Sequence, residues 1–126
     1  IQETNWTQVG VVRNKDDLEA ALSTFDSLRH DVEHATVAPS RACNMIYNVW
    51  LDTRSMIDVS IMAATSALLR DETRGAHTRL DFPKQRDDYG LFNTFLRRGP
   101  DGKPVTEKKP VQFKHKSLED CRQWKK

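Results

Sequence analysis

The chain has 126 residues, of which 37% are hydrophobic and 30% are charged. This length predicts one domain with a core of its own, and the composition is that of a globular rather than a disordered protein. No apolar run approaches the roughly 20 residues that a membrane-spanning helix needs. The first residues show no basic segment followed by an apolar one, so we expect no signal peptide there.

Charge is divided unevenly along the chain. Residues 1–96 carry 10 Lys and Arg against 14 Asp and Glu, whereas residues 97–126 carry 10 against 4. A basic tail on an acidic body favours an acidic partner surface, and nucleic acid is the second interpretation. Two isolated cysteines, Cys43 and Cys121, favour free thiols in a reducing, cytosolic setting over a disulfide framework.

The first predicted elements are a short helix within Thr4–Val12 and a long helix that opens at Asn14. Asn14 is a favourable N-cap residue, and the negative charges of Asp16 and Asp17 suit the first turn. One apolar stripe follows at helical spacing; it consists of Leu18, Leu22, Phe25, Leu28, Val32 and Ala35. We expect this helix to end before Pro39-Ser40.

A second long helix is predicted from Ser40 or Asn44 to Thr73, with Gly75 as its C′ residue. The short connection between the two long helices predicts an antiparallel helical hairpin. Small residues in the later half of the second helix should let a neighbour approach closely. The apolar stripe of this helix consists of Ile46, Val49, Trp50, Met56, Ile57, Ile61, Ala64, Ala67 and Leu68.

The chain changes character after Gly75. Residues 76–90 are polar and irregular, and two strands are predicted at Phe92–Arg98 and Lys103–Phe113. The segment Gly99-Pro100-Asp101-Gly102 between them has the proline and glycine positions of a tight turn. The sequence therefore predicts a short β-hairpin.

No residue pattern predicts catalysis or metal binding. His30 and His34 share a helix face, but a zinc site needs three or four ligands, so a solvated face is favoured. Neither cysteine has the flanking residues of an activated nucleophile. The chain also lacks a glycine-rich phosphate loop. We therefore assign no catalytic, cofactor-binding or metal-binding residue.

The tail interleaves cations with two aromatic residues. It contains Lys108, Lys109, Lys114, His115, Lys116, Arg122, Lys125 and Lys126, with Phe113 and Trp124 among them. This mixture suits phosphate contacts and base stacking. Because no nucleic-acid-binding motif accompanies it, we favour a soluble terminus or a contact with an acidic partner, and we predict no nucleic-acid ligand.

The densest polar cluster lies where the second long helix should end. Arg74, His77, Arg79 and Asp81 supply several directional hydrogen bonds there. Arginines near a helix C-terminus complement its dipole and can bind its last carbonyls. The cluster is therefore predicted to be a helix-end clasp, a docking surface for another domain, or both.

The segment Glu72–Pro83 reads ETRGAHTRLDFP and resembles the E-S-R-G-A-H-x-R-x-D-F-P signature of succinate dehydrogenase and fumarate reductase flavoprotein subunits. Val9–Asn14, VGVVRN, resembles that family's V-G-I-V-R-N/D segment. L-aspartate oxidase shares the fold and a related R-G-L-H signature. Ala76, Arg79 and the Arg86-Asp87-Asp88 run favour the dehydrogenase and reductase branch.

The resemblance implies a mainly α fold, a spectrin-repeat-like, up-down-up three-helix bundle followed by an irregular tail with a short β-hairpin. Residues 1–90 would form the bundle with the signature loop, and residues 91–126 the hairpin and basic tail of the same C-terminal domain. It further implies FAD in the parent protein only, bound by an upstream domain of the same chain. An iron–sulfur subunit would be the other partner. The location would be cytoplasmic, with membrane association through partner subunits.

Overall fold

The computed structural model describes residues 1–37, 43–115 and 119–120. The predictions for Pro39-Ser40, Cys121, Trp124 and the tail cations Lys116, Arg122, Lys125 and Lys126 lie outside these residues. The fold is mainly α, with helices α1 (Gln2–Gln8), α2 (Lys15–His34) and α3 (Met45–Leu68). Short strands β1 (Val12–Arg13), β2 (Thr78–Arg79), β3 (Phe92–Arg98) and β4 (Pro104–Pro110) complete it.

Helices α2 and α3 form the core, and each begins at an asparagine cap. The side chain of Asn14 accepts a hydrogen bond from the Asp17 amide, and Asn44 accepts one from the Tyr47 amide. These bonds satisfy amides that a helix start otherwise leaves free. The buried side chains come mainly from facing positions on the two helices; they are Leu18, Ala21, Phe25, Ile57, Ile61, Ala64 and Ala67.

The predicted stripe of α3 is correct in its second half and wrong in its first. Ile46, Val49 and Met56 are exposed, and Trp50 is half-buried. Helix α3 carries apolar residues on two faces, and α1, α2 and the hairpin cover only one of them. We call the uncovered apolar stripe of α3, consisting of Met45, Val49, Met56 and Val59, the open face; its side chains are 40–80% exposed. In α2, the predicted stripe member Ala35 is an exposed C-cap.

The first helix lies earlier than predicted. It ends at Gln8, and Val12 belongs to β1, which pairs in parallel with β2. The Thr78 amide donates to the Val11 carbonyl over 3.1 Å, and the Leu80 amide donates to the Arg13 carbonyl over 2.9 Å. This parallel pair was not predicted. It fixes the signature segment beside the start of α2.

Helix α3 ends at Leu68, five residues before the predicted end at Thr73. The prediction of Gly75 as its C′ residue is therefore wrong. Gly75 instead occupies a tight turn with φ of 58°, a left-handed conformation that glycine adopts readily. Arg74 and His77 close this turn through two backbone hydrogen bonds of 2.8 and 3.0 Å. The carbonyls of Ala67 and Leu68, the last of the helix, accept hydrogen bonds from the Arg79 side chain in β2.

The predicted hairpin is present, with β3 antiparallel to β4 and Arg98 opposite Pro104. Strand β4 ends at Pro110, before the predicted Phe113, although the Val111 amide still donates to the Leu91 carbonyl over 2.8 Å. The hairpin lies against α3. Within the described ranges, no helix combines the length and apolar character that crossing a bilayer requires.

Candidate functional site

The cluster predicted from the sequence lies where the end of α3 meets the start of α2. Arg79 is its centre and its side chain is only 1% exposed. Its Nη1 donates to the carbonyls of Ala67, Leu68 and Arg70 over 2.9, 3.2 and 3.3 Å. A helix leaves these last carbonyls without partners, and a cation suits the negative end of its dipole. Arg79 therefore satisfies both requirements at once.

Asp81 completes the contact between the two helix ends. Its carboxylate receives two hydrogen bonds from Arg79, Nε to Oδ1 over 2.8 Å and Nη2 to Oδ2 over 2.7 Å. Oδ2 also accepts from the Lys15 amide in the first turn of α2, over 3.2 Å. The hydrogen bonds from Arg79 hold the pKa of Asp81 below its ordinary value, so this carboxylate stays ionised at the positive end of α2.

Glu72 also belongs to the cluster, although the predicted clasp residues did not include it. Its side chain is fully buried. Arg74 donates to both carboxylate oxygens over 3.0 and 3.1 Å, and Arg70 and the Arg86 amide each donate over 2.8 Å. Burial raises the pKa of Glu72, but these hydrogen bonds outweigh it and hold the pKa at about 2. The available sequence signal was the spacing of arginines two residues to either side of Glu72.

Arg74 and His77 also bind within the chain. Arg74 Nη2 donates to the Arg86 carbonyl over 2.7 Å, which joins the signature turn to the following loop. His77 Nε2 lies 3.1 Å from the Arg70 carbonyl, and since a carbonyl only accepts, Nε2 carries the proton. Burial lowers the pKa of His77, and the guanidiniums of Arg13 and Arg79 lower it further. The imidazole is therefore neutral at pH 7.

The two histidines considered as metal ligands contact each other, but no third ligand joins them among the described residues. His30 and His34 stack with ring centroids 4.2 Å apart, and His34 Nδ1 contacts the His30 carbonyl over 2.7 Å. Cys43 is an exposed, free thiol. Across residues 1–37, 43–115 and 119–120, no three His, Cys, Asp or Glu side chains are close enough to hold one metal ion.

The described residues do not fit a flavin dinucleotide either. Such a group places its pyrophosphate on free amides at a glycine-rich helix start. The starts of α2 and α3 instead carry the Asn14 and Asn44 caps, and Asp16 and Asp17 would repel phosphate at α2. The guanidiniums of Arg70, Arg74 and Arg79 are already held by Glu72 and Asp81. The side chains of this cluster are thus engaged within the chain, and we derive no reaction step from them.

Comparison with known proteins finds similarity to one family along nearly the whole chain. The family model described as the C-terminal part of the fumarate reductase flavoprotein matches residues 1–123. Among solved structures, this chain resembles Mycobacterium smegmatis Sdh1 in complex with UQ1, with a TM-score of 0.83 and 26% sequence identity. The similarity covers 96% of this chain and 22% of that one.

Curated relatives include both enzymes that the signature suggested. The fumarate reductase flavoprotein subunit of Mycobacterium tuberculosis is 32% identical over 103 residues, which are 81% of this chain and 18% of the relative. An L-aspartate oxidase from Saccharolobus solfataricus is 34% identical over 96 residues, which are 76% of this chain and 16% of the relative. The chain therefore spans about one fifth of the length of the proteins it matches.

Proposed function

Because the chain belongs to the fumarate reductase and succinate dehydrogenase flavoprotein C-terminal family, we propose that it is the helical scaffold of an FAD-dependent enzyme that interconverts succinate and fumarate. Residues 1–90 and 91–126 form one C-terminal domain in this proposal. The flavin accepts or donates the hydride, and the electrons pass to an iron–sulfur subunit. The enzyme is cytoplasmic and reaches the membrane through its partner subunits. The chain itself supplies no catalytic group.

The open face of α3 is the observation that carries this proposal. Met45, Val49, Met56 and Val59 form an exposed apolar stripe on a helix whose core-facing side packs against α2 and the hairpin. Exposed apolar surface of this kind marks an interaction site. The chain spans about one fifth of its relatives' length, and the proposal assigns this face to the FAD-binding part of the same polypeptide.

The signature cluster acts in this proposal as a helix-end clasp. Arg74, His77, Arg79 and Asp81 direct their hydrogen bonds to backbone and side-chain atoms of this chain. The clasp holds α2 and α3 at a fixed separation, and so presents the open face of α3 as a rigid surface. Docking is the role of the open face rather than of the clasp.

The test uses the full-length flavoprotein with Val59→Asp, and Ser27→Asp as the matched control. Ser27 is exposed on the opposite face of α2 from the core, so the control adds the same charge to a polar surface. We expect V59D to lower the FAD bound per polypeptide and to speed proteolytic release of the C-terminal domain, because a carboxylate is costly in an apolar interface. S27D should match the wild type. Equal FAD content and equal proteolysis in the two variants would reject the docking role.

The similarity to L-aspartate oxidase supports a second candidate function, that of the corresponding domain in this enzyme. The identities of 34% and 32% are close. The full-length protein should oxidise succinate, or reduce fumarate, with an artificial electron carrier and should leave L-aspartate unchanged. Turnover of L-aspartate with no turnover of succinate would select the alternative.

A further inference from the structure

A cavity of about 100 Å³ lies between α3 and the β-hairpin, away from both the clasp and the open face. Ile61 and Met62 of α3 and Pro104 of β4 give it apolar walls. Ile61 is buried in the helical core, so this wall is held in place. Guanidiniums from α2 and β3 complete the lining, which leaves a small apolar recess beside a group of cations.

The cations around this cavity outnumber their counter-ions. Arg29 binds Asp58 closely, Nη2 to Oδ1 over 2.6 Å, whereas Arg98 Nη1 lies 4.0 Å from the other Asp58 oxygen. The Arg97 guanidinium has no hydrogen bond or ion pair in the part of the chain that the structure describes. One carboxylate thus faces three guanidiniums. These groups sum to a net positive charge, and Arg97 is the guanidinium that has no counter-ion among the described residues.

We propose that this cavity binds a carboxylate side chain from an acidic segment of a partner protein. Guanidiniums match carboxylates in charge and in planar geometry. The apolar walls suit the methylene groups of a glutamate side chain, whose carboxylate would then reach Arg97. Lys103 and Lys108 extend the positive charge along the hairpin and attract an acidic segment toward the cavity. This proposal does not depend on the proposed function, since it uses neither the open face nor the flavin.

An acidic polypeptide fits this surface better than a nucleic acid does. Binding of single strands combines phosphate contacts with aromatic rings on which bases stack. The rings of the hairpin are covered by cations, with Lys108 Nζ 4.6 Å from the centroid of Phe92 and Lys109 Nζ 4.9 Å from that of Phe95. The cavity walls are apolar and offer no aromatic platform.

The test measures binding of a fluorescein-labelled oligoglutamate peptide to the full-length flavoprotein by fluorescence anisotropy. We compare the wild type with Arg97→Gln and with Lys84→Gln, which removes one exposed positive charge away from the cavity. R97Q should weaken binding about tenfold, since a charge-assisted hydrogen bond contributes on the order of 1.5 kcal/mol. K84Q should stay within about twofold, as expected for an exposed charge. Equal losses in R97Q and K84Q would overturn the proposal.

A second variant, Met62→Trp, separates insertion into the cavity from attraction to the surface. The larger side chain fills the recess and leaves every charge in place. It should therefore also lower the affinity for the peptide if a carboxylate enters the cavity. If M62W binds the peptide as tightly as the wild type, the carboxylate does not enter the cavity, even if R97Q binds the peptide weakly. A single-stranded oligonucleotide of equal charge should displace the peptide poorly. If the oligonucleotide instead binds more tightly than the peptide, and R97Q weakens this binding too, the ligand of the cavity is a nucleic acid and not an acidic polypeptide. Circular dichroism of each variant checks that it is folded.

Discussion

Arg79 and Asp81 form a bidentate ion pair that connects the end of α3 to the start of α2. Arg79 also binds the Ala67 carbonyl over 2.9 Å, and Asp81 accepts from the Lys15 amide over 3.2 Å. The guanidinium lies at the negative end of one helix and the carboxylate at the positive end of the other. One pair of side chains thus binds two helix ends and holds the end of α3 beside the start of α2.

The chain offers a matched comparison for this pair, because Arg86 and Asp88 repeat the same spacing and the same bidentate bonds at the surface. Arg79 is 1% exposed, whereas Arg86 is 50% exposed. We expect Arg79→Lys to lower the free energy of unfolding by about 2 kcal/mol or more, since lysine lacks the fork and leaves buried carbonyls unpaired.

Arg86→Lys should leave the free energy of unfolding nearly unchanged, because exposed ion pairs contribute little to stability. Urea unfolding followed by circular dichroism measures both variants. If R79K and R86K lose the same stability, the buried pair does not organise the helix ends as described.

Glu72 predicts a dependence of stability on acid. A glutamate side chain ordinarily has a pKa of 4.5, whereas that of Glu72 is about 2 in the folded chain. The unfolded state therefore binds the proton first as the pH falls. The contribution of Glu72 to the free energy of unfolding should therefore be fully present above pH 4.5 and be lost toward pH 2. Its size is on the order of 3 kcal/mol. Asp81 has a lowered pKa and acts in the same direction.

Glu72→Gln should remove most of this decline and lower the stability at pH 7, because a neutral amide cannot replace a carboxylate that binds two guanidiniums. Glu19→Gln is the control, since Glu19 forms only an exposed pair with Lys15. Unfolding curves between pH 7 and pH 2 compare the three proteins. A wild-type slope that E72Q preserves would contradict the role given to Glu72.

Trp50 tests the packing at the far end of the helical hairpin. It is half-buried, and its Nε1 donates to the Val32 carbonyl over 2.9 Å. Replacing a fully buried tryptophan with alanine costs about 3–5 kcal/mol, so for half-buried Trp50→Ala we expect about 2 kcal/mol. Trp50→Phe should lower the free energy of unfolding by about 1 kcal/mol, because it removes this hydrogen bond. A loss below about 0.5 kcal/mol in W50A would mean that Trp50 does not pack against α2.

Two adjacent alanines test which face of α3 is covered. Ala64 is fully buried against α2, whereas Ala63 is exposed beside the open face. Ala64→Leu should destabilise the chain by about 1–3 kcal/mol because the extra carbons have no space. Ala63→Leu should change the free energy of unfolding by less than about 0.5 kcal/mol. The opposite order would mean that the helix is rotated from the position described.

The sequence predicted the features that depend on local chemistry. The cap at Asn14, the core positions Leu18 and Phe25, and the turn between Gly99 and Gly102 each follow from a few neighbouring residues, and the structure confirms them. Helical periodicity alone could not identify the covered face of α3. That helix has an apolar stripe on two sides, and other elements decide which of them is buried.

The clasp was only partly predictable for a similar reason. Its arginines stood out near a helix end, but Glu72 receives donors from Arg70, Arg74 and the backbone of Arg86. The last of these comes from a loop whose path periodicity does not predict. The pairing of β1 with β2 joins residues 66 positions apart through two-residue strands, which are too short to show alternation.

Oxidation of the three methionines by hydroxyl radicals reports whether the open face is covered, because two of them lie on this face and the third does not. Met45 and Met56 belong to the open face, whereas Met62 lies beside the cavity at the hairpin. The rates are measured by mass spectrometry in the 126-residue chain and in the full-length flavoprotein. If the flavin-binding part docks here, Met45 and Met56 are protected in the full-length protein, while Met62 reacts at the same rate in both. Unchanged rates at Met45 and Met56 would show that the flavin-binding part does not cover this face.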